Sequence, residues 1–178
     1  MTHIKIPKDR IGAIIGPKGE TKKTIEEKSS SRLDIDSETG TVEIIGMEDP
    51  LGAFRAGEVV KAISRGFNPE KALRLFEDDM LMLEVIDLSK VAGTQKELIR
   101  LKGRIIGKAG KTRELAESLI GVKISVYGKT VSILGYPEQN RIVQAAIEML
   151  MEGVNHGTVY SFLEKKHREM MQSQLDYY

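Results

Sequence analysis

Lys108 and Lys111, with Arg104 and Arg113 close by, bracket two glycines three positions apart, Gly107 and Gly110. Glycine supplies the positive φ that a tight turn needs and lets another backbone come close. Helical patterns flank the pair, so the unpaired N–H groups at the start of the second helix can face an anion. Cations on every side make that anion a phosphate. A lone Gly-x-x-Gly is weak evidence, but this chain carries it twice. The run from Gly12 to Lys22 matches the run from Gly103 to Arg113 without a gap, at an offset of 107 − 16 = 91 residues.

Other chemistries fit the residues less well. Gly110-Lys111-Thr112 resembles the end of a phosphate-binding P-loop, but that motif needs a glycine where Ile105 stands. Glu77-Asp78-Asp79 is a run of carboxylates that cannot all face one ion, and it reads as a solvated boundary or a contact for a basic partner. His3, His156 and His167 have no metal-ligand spacing and no Ser or Cys arrangement suggesting a triad. Met149 and Met151 read as core filler. No catalytic residue, metal or cofactor is expected.

The formal net charge is only +1 although 30% of the 178 residues are charged, so the chain is not basic as a whole. Its charge is local instead. Residues 96–123 hold eight Lys/Arg against three Asp/Glu, a balance of +5. Residues 5–28 hold seven against four, or +3, and residues 68–87 hold two against six, or −4. Both glycine turns are basic and the joining segment is acidic. The absence of cysteine, with no secretory or transmembrane pattern, points to a cytoplasmic protein without disulfides.

The elements around the turns repeat too. Alternation predicts a strand over His3–Ile6, closed by Pro7. Short helices follow over Asp9–Ile15 and from Glu20 to about Lys28. Leu33 and Ile35 mark a half-buried strand, Ser37–Gly40 a hairpin loop, and Thr41–Ile45 the returning strand. Asp49-Pro50 caps a helix that turns Val59, Val60 and Ile63 inward and stops at Gly66. Asn68-Pro69 opens a short extra helix with Leu73 and Phe76 inward. The second half runs in the same order: a strand over Met80–Leu88, helices over Thr94–Ile106 and Lys111–Ile120, and a hairpin turning at Gly128-Lys129. The helix from Pro137 then buries Val143, Ala146, Ile147 and Leu150. An extra helix carries Tyr160 and Leu163, and Glu164–Tyr178 is a charged helix with a loose tail. The division is 1–79 and 80–178. Halves this small are expected to pack on each other.

A β-α-α-β-β-α unit with Gly-x-x-Gly between its first two helices resembles a type I KH domain. That resemblance implies an α+β fold of two tandem units, each a three-stranded antiparallel sheet with helices on one face. Single-stranded RNA would lie in a groove between the glycine turn and the second strand. The turns would bind through Arg104, Ile105, Ile106, Gly107, Lys108, Ala109, Gly110, Lys111 and Arg113, with Ile124 on the strand, and through Ile15, Gly16, Pro17, Lys18, Gly19 and Lys22. Ile105, Ile106 and Ile124 would form an apolar floor under the bases. Many KH domains place isoleucine three positions after the second glycine; Lys22 and Arg113 stand there, which enlarges the phosphate contribution.

Arg65-Gly66-Phe67-Asn68-Pro69-Glu70-Lys71-Ala72, Leu83-Glu84-Val85-Ile86-Asp87-Leu88 and the second turn itself resemble the Partner of Nob (Dim) family. The resemblance implies a non-enzymatic factor in small-subunit ribosome maturation, binding near the 3′ end of small-subunit rRNA. It implies contact with the endonuclease that matures that end and with other ribosome assembly or translation factors, but no membrane. Eukaryotic relatives keep the glycine turn mainly in the second unit, so two intact turns imply an archaeal source. A protein–protein adaptor using KH units as scaffold, or a KH protein of RNA degradation or transcription, is the alternative.

Overall fold

Alternating apolar residues put one face of each sheet under helices, and the computed structural model shows this arrangement twice; it describes residues 2–46 and 48–177. The chain divides into two compact units, residues 1–81 and 82–178. In the first, β1 (Thr2–Lys5), β2 (Ser31–Asp36) and β3 (Thr41–Gly46) form an antiparallel sheet in the order β1-β3-β2. Ile4 pairs with Val42, and Leu33 with Ile44. Helices α1 (Ile11–Ile15), α2 (Glu20–Ser29), α3 (Pro50–Ser64) and α4 (Pro69–Ala72) complete the unit. The core between sheet and helices includes Ile14, Ile25, Val42, Val59, Val60 and Ile63, all fully buried. Each large side chain here contributes roughly 1.5–3 kcal/mol relative to exposure.

The second unit is built alike. Its strands β4 (Met82–Asp87), β5 (Lys123–Tyr127) and β6 (Thr130–Gly135) are ordered β4-β6-β5. Tyr127 pairs with Thr130 across the two-residue turn, where Gly128 takes φ +55°. Helices α5 (Gln95–Ile106), α6 (Lys111–Ile120), α7 (Pro137–Met151) and α8 (His156–Asp176) cover a core that includes Leu101, Ile105, Ile120, Ile133, Val143, Leu150 and Leu163. Met149 and Met151 pack against that core half-buried. Fold and order are those of two KH units.

Caps explain several boundaries. Asn68 and Asn155 each accept the N–H three residues on, from Lys71 and Thr158, at 2.8 Å. Thr94 does the same for Glu97, whose carboxylate reaches back to Gly93 N–H. Asp49 precedes Pro50 as predicted, yet its side chain makes no capping hydrogen bond.

Two further readings need correction. In the first extra helix Ala72 and Leu75 are the buried residues, while Leu73 and Phe76 are half-buried. The chain there tightens from α-helix into a 3-10 turn over Leu73–Phe76, which rotates the inward face. The C-terminal segment is not a loose tail: α8 continues unbroken to Asp176. His167 donates from Nδ1 to the Leu119 carbonyl at 2.8 Å, and Phe162 and Met170 pack against the core. Tyr178 lies outside the described residues.

Candidate nucleic-acid interface

Both glycine turns adopt one backbone shape. Gly16 and Gly107 take φ/ψ of 75°/173° and 79°/169°, a region open essentially only to glycine. A Cβ at either would lie 2.7–2.8 Å from the Cβ of Thr21 or Thr112. Lys18 and Ala109 follow at φ 56°, left-handed and costly for a side chain, and Gly19 and Gly110 at φ 74° and 76°. Gly110 N–H bonds the Gly107 carbonyl, and Lys111 N–H the Lys108 carbonyl. The donors the second turn can still offer an anion are therefore those of Lys108 and Ala109. Pro17 has no N–H, so the first turn offers Lys18 alone.

The side chains around the turns separate into surface and support. Lys108, Ala109, Lys111, Pro17 and Lys18 are exposed; Gly107, Gly110, Gly16, Gly19, Lys22, Ile15 and Ile106 are half-buried. Lys111 Nζ sits 5.3 Å from the centre of the Tyr160 ring on α8. The Tyr160 hydroxyl shares a hydrogen bond of 2.9 Å with Thr112 Oγ1, the atom against which Gly107 packs. Thr112 is 3% exposed, so its hydroxyl is not presented to a magnesium ion as a P-loop would require. Among the described residues, no group of three or more His, Asp or Glu could hold a metal ion.

The predicted apolar floor is the first correction at this site. Ile105 and Ile124 are 3% and 6% exposed and belong to the core. The space they line with Thr112, Arg113 and Ala116 is a cavity of about 10 Å³, too small for a base. Ile106 alone of the three keeps exposed surface, as Ile15 does in the first unit. The reason is helical phase: Ile105, four positions after Leu101, shares the inward stripe, and Ile106 lies a step round the helix.

Arg104 is the second correction. The sequence places it with the phosphate ligands, but its guanidinium donates to Leu150 and Val154 carbonyls at 3.1 and 2.6 Å, closing the C-terminal end of α7. In the first unit Arg10 does the same for Ile63 and Phe67, at 2.8 and 2.9 Å. The two arginines are 104 − 10 = 94 residues apart, three more than the repeat: Arg104 reaches its carbonyls from within α5, Arg10 from the 3-10 turn just before α1. Arg113 keeps 41% of its side chain exposed and lies 4.0 Å from Glu117.

Sequence reasoning missed that glutamate. Glu117 accepts the Ile124 N–H at 3.0 Å, and Glu26 accepts the Leu33 N–H at 3.0 Å. Donors and acceptors both repeat at 91 residues. Each latch ties the second helix of a unit to its second strand. His156 donates from Nε2 to the Arg104 carbonyl at 3.0 Å, anchoring the start of α8 beside the turn. Arrayed this way, the second unit exposes two N–H donors, two lysines and a half-exposed isoleucine on one surface, groups that suit phosphates and a base.

Known proteins share this arrangement. Residues 82–168 match the family of the second KH domain of PNO1, a eukaryotic-type (type I) KH domain, and residues 1–53 match the KH domain family. A KH domain-containing protein of Methanocaldococcus jannaschii is 47% identical over 176 residues, 97% of this chain and 77% of that protein. A chain of the a/eIF2alpha-aDim2p-rRNA complex from Pyrococcus horikoshii superposes with a TM-score of 0.88 at 45% identity, over 94% of each chain. The pre-rRNA-processing protein pno1 of Aspergillus fumigatus is 35% identical over 117 residues; the match covers 64% of this chain and 46% of the fungal protein, about half its length. With a glycine turn in each of two KH units and archaeal relatives matching it almost end to end, the chain belongs to the Dim, or Partner of Nob, family of tandem-KH proteins.

Proposed function

We propose that the chain binds single-stranded small-subunit rRNA in ribosome maturation, near its 3′ end, and acts by binding rather than catalysis. The observation that carries this reading is the second turn: two N–H donors in a backbone that only glycine permits at Gly107, flanked by exposed Lys108 and Lys111. Such a turn grips phosphates irrespective of base, and Ile106 offers apolar contact to one base. The relative in the complex with rRNA and a/eIF2alpha supports both the RNA and a translation-factor partner, and the pre-rRNA-processing relative supports the process. Contact with the maturing endonuclease and a cytoplasmic place of action complete the proposal. Among the described residues no helix is long and apolar enough to cross a membrane.

A salt titration tests it. About four phosphates per groove, each releasing some 0.7 counterions, give a log–log slope of roughly −2 to −3 per engaged groove. A slope near zero overturns the phosphate clamp and leaves the adaptor reading.

A further inference from the structure

Four residues of the second unit fall on one stripe leading away from the turn: Lys96, Arg100, Gly103 and Gly107, spaced four, three and four positions apart along α5. Lys96, Arg100 and Gly103 are exposed, and Ile99 beside them is 63% exposed. Neither Lys96 nor Arg100 makes an ion pair or hydrogen bond with any described residue. That distinguishes them from Arg104, whose guanidinium is committed to backbone carbonyls. A Cβ at Gly103 would meet nothing within 4 Å. A glycine inside a helix is destabilising relative to alanine, and here it leaves a flat gap between the turn and the two cations.

We propose that this stripe is a phosphate track: RNA leaving the glycine turn passes over Gly103 and sets further phosphates on Arg100 and Lys96. The inference rests on the RNA-binding reading of the second turn and extends that site along α5. Lys96 lies eleven residues from Gly107, about 16 Å along the helix, beyond the reach of the turn's own contacts. Charge decides the occupant. Two uncommitted cations on an open helix face, continuous with a phosphate-binding turn, suit a polyanion, and Ile99 gives a ribose or base an apolar surface. The first unit has no such track: at the repeat offset Asp9 stands where Arg100 does, and α1 begins only at Ile11.

The test compares RNAs of different length on the full chain. A four-nucleotide RNA is measured against the same four nucleotides extended by four on the 5′ or on the 3′ side, by fluorescence anisotropy. The track predicts that extension on one side raises affinity on the order of tenfold. In Lys96→Glu/Arg100→Glu that gain is lost, four-nucleotide binding stays within about twofold, and the salt slope for the long RNA falls by about 1.4. Lys96→Gln/Arg100→Gln should lose most of the gain as well, and circular dichroism checks that both variants fold. No gain on extension, or a gain both variants retain, overturns the track. A wild-type chain that binds none of these RNAs instead overturns the RNA-binding reading itself.

Discussion

The two glycine turns have nearly the same backbone and different chemistry. Their φ and ψ angles agree within about 4° at the first glycine and within 4° at the second. Even the charge in the first turn of the following helix is the same, +1: Glu20, Lys22 and Lys23 in one, Lys111, Arg113 and Glu114 in the other. Only the order is reversed. The first unit puts its carboxylate at the first helical position, where it meets the positive end of the helix dipole and repels a phosphate. The second puts a lysine there, and holds it over Tyr160. Repetition transmits the shape of a turn; what the turn binds depends on which side chain stands at each place in it.

Variants can break that comparison. The largest expected effect comes from Lys108→Asp/Ala109→Asp, which adds two negative charges at exposed positions and leaves the core untouched. RNA binding should fall by on the order of a hundredfold or more, about 2.7 kcal/mol, with an unchanged circular dichroism spectrum. Aspartate tolerates the left-handed conformation at position 109 better than most residues. The matching Pro17→Asp/Lys18→Asp should lose tenfold or less, and an equal or larger loss from the first turn would reverse the ranking.

Gly16→Ala and Gly107→Ala test the shared half of the comparison. Each forces a side chain into a glycine-only region against a threonine, at about 2 kcal/mol of stability. Denaturation should show similar costs in both; a clear difference would mean the turns are not equivalent supports. Next in size is the charge order. Lys111→Glu should weaken RNA binding by roughly tenfold, and Glu20→Lys should strengthen the first turn's share by a few-fold. If both variants bind like the wild type, the position of the charge does not matter. Smallest is Tyr160→Phe, which removes the hydroxyl bonded to Thr112 but keeps the ring under Lys111. It should cost about 1 kcal/mol of stability and less than threefold in binding, whereas Tyr160→Leu should lower affinity further.

Much of this was legible in the sequence because the repeat states it twice. The order of elements, Pro50 and Pro137 at helix starts, Asn68 and Asn155 as caps and the turn at Gly128 follow from local rules that need no tertiary information. The errors have two sources, long-range partners and local helix phase, as where the 3-10 turn over Leu73–Phe76 shifts the inward face. A cation beside a glycine turn can face a phosphate or a backbone carbonyl, and Arg104 finds its carbonyls 46 and 50 residues away. Ile105 and Ile106 are adjacent in sequence, and only the helix phase set by Leu101 decides which is buried. The glutamate latches could have been found, since Glu26/Leu33 and Glu117/Ile124 recur at the offset that aligns the turns. An exposed-looking glutamate on a helix simply carries no mark of the strand amide it will hold.

Those latches have a consequence for solubility. β2 and β5 each form one of the two edges of a three-stranded sheet, and an edge strand offers unpaired amides on which another chain can grow. Glu26 and Glu117 occupy one such amide apiece with a carboxylate. A foreign strand approaching along either edge meets an acceptor where it needs a donor free, and must first expel a charged side chain. A carboxylate at each of these two edges therefore works against strand-on-strand stacking there, at no cost to the glycine turn beside it.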